Sequence, residues 1–586
     1  MYATSLCFLE GAGQSSKDRG PRSCWLQGLL DNSIASSQAF GAGPPALYAS
    51  WCERVIGKAL TLKIGCLTAQ WRRWRVMTVR ENMTQDARCS ASAYAKSQGC
   101  SHASRRGSFA PSRRTTRQGH EEMAKDNRQR RLRGRRLALV ACFCLLLVPG
   151  KIVQAGEVYR VGPQEEYVSV DEVTADLEPG DTVLLCGDLR ESFVLSRSGT
   201  RSDPITVRGI VGDRGGSVSR PTITVDNSGL AGIVVRGDWN VISNLQLTGA
   251  GGRGGARSAI FVAGSNVTVR NCVFHHNDQA LDSVGGVAEI RVQFCEFDSN
   301  GRGSRQHSVY LTSNVPGAKA IIEHCYFHDA VGGVLLKSRV PRNVVRYNWF
   351  EDAFYSAVNI VDAASLGGWP EEEMRSLYPM HTDMLGNVFF QGWSPGPRYA
   401  LLSLGGEHET SPGTEGDFNL AHNVFLMTRS APKAPGVAIL VHGNVNKVAV
   451  WNNVFLGLGV VRFKVYERGT TWETPERAAF IARHGRGEPV VEGVGNWISL
   501  KASGIPEGLR ETLRGRNPGF VDLCTFDFHP LSESPLLGAA CVECTTGRII
   551  ELVPEFEPVR GIGQEVERIR RGDTSRLSIG PFSVRR

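Results

Sequence analysis

Cys272-Val273-Phe274, Cys295-Glu296-Phe297, Cys325-Tyr326-Phe327, Asn348-Trp349-Phe350, Asn387-Val388-Phe389, Asn423-Val424-Phe425 and Asn453-Val454-Phe455 are one pattern: a small or polar residue, any residue, then Phe. From one Phe to the next the steps are 23, 30, 23, 39, 36 and 30 residues. Recurrence in this range, with insertions, marks a solenoid. Each repeat is too short to bury a core alone and must stack on its neighbours.

Segments such as Asn266-Val267-Thr268-Val269, Ala320-Ile321-Ile322-Glu323 and Lys447-Val448-Ala449-Val450 are short, β-branched and bounded by Gly, Asn or Asp, so they predict strands. Nothing between them has the length or the 3.6-residue apolar period of a helix. Strands at this spacing predict an all-β chain wound as a parallel β-helix, with equivalent positions recurring about 4.8 Å apart along the axis. Phe then stacks on Phe inside, Asn on Asn at a bend, and Cys272, Cys295 and Cys325 as buried thiols. Residues 239–248 form an earlier coil with Leu247 at the Phe position.

Over residues 157–540 this pattern resembles the right-handed parallel β-helix proteins of the pectate-lyase-like superfamily. The resemblance implies a capped solenoid. The opening EVYRVGPQEEYVSVDEVTADLEPGDTV is similar to the entry of that fold, with a short capping helix at 170–177. The string NPGFVDLCTFDFHPLSESPLLGAA is similar to its closing coil. A cap is needed because an open coil presents an unpaired edge.

Four regions follow. Residues 1–122 lack sustained period and read as a disordered extension or as sequence upstream of a true start at Met123. Residues 123–155 have the layout of a secretory signal peptide: an Arg-rich front, an apolar run at 137–148, and Val153-Gln154-Ala155 as the cleavage site. That run is too short to span a bilayer comfortably, where about 20 residues are needed. A secreted or periplasmic chain beginning at Gly156 is expected, with no stable membrane span. Residues 156–541 are the β-helix and 542–586 a charged C-terminal tail. The 586-residue chain carries +9, but residues 1–137 alone carry +15, leaving −6 for the rest. The folded part therefore gives no sign of a nucleic-acid partner. Export permits disulfides, and one involving Cys524 near the closing coil is expected.

Insertions fall at 301–306, 364–381, 393–399, 405–416 and 468–488, and loops on a rigid scaffold commonly carry the site. Laying Val309 over Val334 over Val358 and applying strand alternation turns Tyr310, Thr312, Leu335, Lys337, Asn359 and Val361 outward, and Arg339 has the parity of Lys337. The strings HSVYL, VLLKSR, NIVDAASLGG, MLGNVFFQG and LGGEHE occur in order. They are similar to a subset of these proteins read as polysaccharide lyases. The resemblance lands on His307, Tyr310, Lys337, Ser338, Arg339, Asp362 and Glu407.

What it implies is β-elimination on an anionic polysaccharide. Lys337 would take the proton α to a uronate carboxylate, a guanidinium neighbour favouring its neutral form. Arg339 or Ca²⁺ would stabilise the enolate, and Tyr310 or His307 would protonate the leaving oxygen. Asn359, Trp369, Trp393 and Glu407 are candidate substrate contacts. Asp362, with Glu407 and Asp352, supplies oxygen donors for Ca²⁺. The same fold supports other readings: a non-catalytic carbohydrate-binding or adhesion protein, an epimerase, or a glycoside hydrolase. The hydrolase needs paired carboxylates, and no Asn-Thr-Asp, Asp-Asp or Gly-His-Gly string occurs in these coils.

Overall fold

The computed structural model describes residues 156–584 apart from 215–216, 253–256, 362–379, 393–399, 407–415, 428–435, 443–444, 458–460, 466–489, 542–552, 562–568 and 572–576. Three parallel sheets of 13, 12 and 10 strands run the length of the molecule. Each full coil gives one strand to each sheet in turn. Val267–Arg270, Val273–His275 and Leu281–Ser283 form one coil. Glu289–Gln293, Glu296–Asp298 and Val309–Thr312 form the next. The connections wind right-handed, as parallel crossovers do.

The predicted Phe ladder is continuous. Rings of Phe274, Phe297, Phe327, Phe350, Phe389, Phe425 and Phe455 stack at 4.9, 4.5, 4.8, 5.1, 4.9 and 4.6 Å between centroids. None is more than 1% exposed. Leu247 pairs with Phe274 at the same position, as expected. Each Phe is buried because its strand position faces inward in every coil, so burial and in-line stacking reinforce one another.

The bend between the first and second sheets has its own device. Asn271, Phe294, His324, Tyr347, His422 and Asn452 all have positive φ, as does Gly386 at the equivalent place. A left-handed residue costs a side-chain-bearing position roughly 1–2 kcal/mol. The ladder residue that follows compensates. Asn387 Oδ1 accepts from both the backbone N–H and the Nδ2 of Asn348, each at 3.0 Å. Asn423 does the same for Asn387, and Asn453 for Asn423. In the earlier coils Cys272, Cys295 and Cys325 occupy this position as buried thiols, and Cys325 N–H donates to Asn348 Oδ1 at 2.9 Å.

The open end is plugged by Val170, Val173 and Leu177. The helical element there is a single 3-10 turn, Val170–Glu172, capped by Ser169. The C-terminal residues are more than a tail. Phe556 packs edge-on against the rings of His324 and Tyr347. Arg560 grips Glu351 with two hydrogen bonds of 2.8 and 2.7 Å. Ile579 and Phe582 join Trp349, Phe390, Val424 and Trp497 in an apolar cluster on the outward face of the second sheet. Isolated anchors of this kind have no period, which is why the sequence shows no pattern here. Cys524 is a free, exposed thiol and Cys541 is disulfide-bonded, so the disulfide expected at Cys524 is corrected. Among the described residues no helix is long and apolar enough to cross a membrane.

One ion pair ties the C-terminal segment to the closing coil. His529 Nε2 lies 3.0 Å from Glu557 Oε2, and His529 Nδ1 2.6 Å from Asp527 Oδ1. The bond to Glu557, then that to Asp527, raises the imidazole above its ordinary value despite burial. Burial raises the Glu557 carboxylate, but bonds from His529 and Ser583 outweigh this and hold it low. The histidine's contribution is full below its unfolded pKa, about 6.5, and is lost as pH rises through the higher folded value. That of Glu557 is full above about 4.5 and is lost as pH falls through the lower folded value. The advantage of wild type over His529→Gln in thermal melting should therefore be largest near pH 5–6 and shrink in alkali. An advantage that grows with alkali would refute the assignment.

Candidate active site

The third sheet carries the candidate residues, and its register differs from the expected one. Val309 pairs with Leu336, not Val334, and Leu336 pairs with Val358. Tyr310 therefore lies directly beside Lys337, not offset by two residues, and Lys337 lies beside Asn359. The slip of two keeps Tyr310, Lys337 and Asn359 on the outward side, but Leu335, expected outward, joins the core just before the strand begins at Leu336. Leu311, Leu336 and Ile360 face the core, and one outward row reads Phe261, Asp282, Tyr310, Lys337, Asn359, Ser403. Arg339 sits two residues further along its strand, beside Thr312.

Tyr310 is the centre of this group. Arg339 Nε donates to its hydroxyl oxygen at 3.0 Å. Lys337 Nζ stands 5.2 Å from its ring centroid, within the range in which a cation is attracted to an aromatic face. The ring of His307 meets it edge-on at 5.4 Å. His307 Nδ1 accepts the Val334 N–H at 3.0 Å, so that nitrogen holds the neighbouring loop. Lys337 and Arg339 are each only 9% exposed. They are not the freely solvated side chains that an outer strand suggests.

Asn359 is buried, on the row beside Lys337, and its Oδ1 has no hydrogen-bond partner among the described residues. Ser338 points inward, its hydroxyl bonded to Asn343 Oδ1 at 2.6 Å, which takes it out of the site. Asp352 Oδ1 accepts the Gly392 N–H at 2.7 Å on the neighbouring sheet's turn. Asp362, Trp369, Trp393 and Glu407 lie outside the described residues.

One residue escaped the sequence reading. Asp282 occupies the outward row beside Tyr310 and is fully buried. Burial pushes its carboxyl up to about 6, against the opposing charge of Arg257. The outward parity of Leu281-Asp282-Ser283 was available by extending the alignment one coil back; nothing in the sequence marked its burial.

Asp298, His328 and Asp329 place ligand atoms within 4.8 Å of one another, on the second sheet. Burial lowers the His328 imidazole, but hydrogen bonds to Asp329 and Glu296 prevail and raise it to about 9. An ion would have to displace that proton. Ca²⁺ takes all-oxygen ligands, so this His-containing group does not suit it, and it lies on a different sheet from Lys337.

Residues 208–367 match the family model described as a right handed beta helix region. The described residues fold as a right-handed parallel β-helix. This β-helix is similar to three solved structures. One is a mutant of an alginate lyase of polysaccharide lyase family 6, at 15% identity and TM-score 0.36, covering 59% of this chain and 49% of that one. The second is a pectate lyase, at 14% identity and TM-score 0.39, covering 70% and 97%. The third is a family 6 polysaccharide lyase from Pseudopedobacter saltans, at 12% identity and TM-score 0.32, covering 59% and 89%. The chain spans about half the length of the alginate lyase. No curated protein sequence matches it. At such identities and TM-scores the likeness decides nothing about chemistry, which is argued from the site.

Proposed function

We propose that the protein is a secreted lyase that cleaves an acidic, uronic-acid-containing polysaccharide by β-elimination on the outward face of the third sheet. The observation that carries this reading is the Arg339–Tyr310 hydrogen bond with Lys337 set over the same ring. A base, a proton donor and a fixed cation are thereby within reach of one sugar unit. The signal-like layout of residues 123–155 supports export.

In this reading Lys337 takes the C5 proton of the bound uronate. The electron pair forms the C4–C5 double bond as the C4–O bond breaks. Tyr310 gives its proton to the departing oxygen, and Arg339 Nε stabilises the phenolate left behind, a charge-assisted bond stronger than a neutral one. The positive charge of Arg339 also offsets the charge that develops on the substrate carboxylate. Asn359 Oδ1 offers an acceptor for a sugar hydroxyl. Ca²⁺, if bound near Asp362 and Glu407, would add Lewis-acid stabilisation of the carboxylate; no step above depends on it.

The test is turnover. Purified protein incubated with alginate, pectate and related polymers, with and without chelator, should generate the ultraviolet absorbance of an unsaturated uronate. Tyr310→Phe should keep polymer binding and lose roughly 10²–10⁴-fold in kcat, the usual scale for a positioned proton donor. Unsaturated product from no uronate polymer would refute the lyase. Unchanged kcat in Tyr310→Phe would remove Tyr310 from proton transfer.

A further inference from the structure

Beyond Tyr310 toward the N-terminal end, the outward row of the third sheet continues through Asp282 to Phe261. Arg257, just before the strand Ser258–Val262, reaches across this end of the row. Its Nε forms an ion pair with Asp282 Oδ2, and its guanidinium carbon lies 5.3 Å from the Phe261 ring centroid. The arginine side chain is 48% exposed, whereas the aspartate beneath it is sealed from solvent.

Stability does not explain this arrangement. Burying a carboxylate costs several kcal/mol, and a pair with a half-exposed partner returns little of it. What the arrangement does provide is orientation. Nε is paired with Asp282 and the guanidinium carbon lies over Phe261, and the two terminal nitrogens of this half-exposed side chain carry four further N–H donors in the planar fork that matches a carboxylate. Ala231, Val234 and Phe261 form a small buried apolar cluster that backs it.

We propose that Arg257, held in place by the buried Asp282, is a second uronate-binding subsite, so that the acidic chain lies along the solenoid axis from Arg257 past Tyr310 to Lys337. This deepens the lyase reading and rests on its substrate class. Asp282 lies two strands before Lys337, a separation of about 10 Å at the usual strand spacing. The Arg257 site therefore takes a sugar further along the chain than the immediate neighbour of the one being cleaved. Arg257 binds substrate, and Asp282 is a positioning residue that acts through it.

The experiment compares wild type, Arg257→Gln and Asp282→Asn on polymeric uronate and on its disaccharide. It reads kcat and KM, with direct calorimetric binding of the polymer to each protein. Losing one charge-assisted contact should raise KM and Kd for polymer roughly ten- to a hundred-fold with kcat nearly unchanged. The disaccharide, too short to reach Arg257 from Lys337, should show no difference. Asp282→Asn should raise polymer KM in the same sense, and add little to Arg257→Gln when the two are combined. If Asp282→Asn fails to fold, the exposed Arg257→Gln still decides. Equal polymer affinity in wild type and Arg257→Gln overturns the subsite, as does a fall in kcat at constant KM. If wild type binds polymer without cleaving it, the lyase reading fails, while weaker binding by Arg257→Gln still supports the subsite. If wild type binds no uronate polymer, both fail.

Discussion

Lys337→Ala should lower kcat on the cognate polymer by roughly 10²–10⁴-fold, the usual cost of removing a positioned general base. Its effect on the fold should be small but not nil. Lys337 is 9% exposed and its ammonium stands over Tyr310, a contact that contributes about 0.5–2 kcal/mol. The strand Leu336–Arg339 keeps its inward Leu336 and its pairing with Val309–Thr312 whatever stands at position 337. A modest fall in melting temperature with an unchanged circular dichroism spectrum is expected. The kinetic loss must then exceed the loss in folded fraction by orders of magnitude. A variant with kcat within a few-fold of wild type would remove Lys337 from the chemistry and leave it as a packing group around Tyr310.

Asn387→Ala should be the most destabilising conservative change among the coils. Asn387 Oδ1 accepts from Asn348 N–H and Nδ2, while its Nδ2 donates to Val345 O at 2.8 Å and to Asn423 Oδ1 at 2.9 Å. Alanine leaves four buried polar groups short of a partner, at roughly 1–3 kcal/mol for each one left unsatisfied. A loss of at least about 3 kcal/mol is expected even if the groups relax partly. The preceding Gly386 already holds a left-handed conformation, φ 67°, so the bend has little freedom to move toward new partners. Denaturant titration of Asn387→Ala against Asn387→Asp separates the functions. Aspartate keeps the acceptor for the Asn348 N–H, loses the donors, and sets a carboxylate oxygen against Val345 O and Asn423 Oδ1, so it should cost at least as much as alanine if the donors matter. A loss below about 1 kcal/mol for Ala would show that water or a shifted backbone replaces the ladder.

The inward positions were readable from sequence because of how a coil works. Each coil has one Phe position, and stacking at a fixed rise forces chemically similar residues into line. Phe274 to Phe455, the Asn ladder and the three thiols all followed from that. Strand parity was readable for the same reason: outward Tyr310, Lys337, Arg339 and Asn359 depend only on alternation with Leu311, Leu336 and Ile360. Pairing was not readable. The turn between Phe327 and Leu336 has no fixed length, and a slip of two residues leaves strand parity unchanged. The hydrophobic pattern therefore could not choose between Val334 and Leu336 as the partner of Val309; backbone hydrogen bonding did.

Burial of polar side chains and contacts between distant segments belong to the tertiary structure. Arg257 meets Asp282, and Arg560 meets Glu351, across separations that no local period spans. The C-terminal segment is held by single anchors, Phe556 against Tyr347 and Glu557 against His529, and single anchors leave no repeat in a sequence. The chain's own periodicity determined a β-helix with Lys337 and Tyr310 on one outer face. Only the packed coils decided that Lys337 lies over the Tyr310 ring, that Arg339 bonds its hydroxyl, and that a buried carboxylate lies next in the row. Those three facts depend on the register between neighbouring strands and on which neighbours exclude water, and neither is carried by any one repeat.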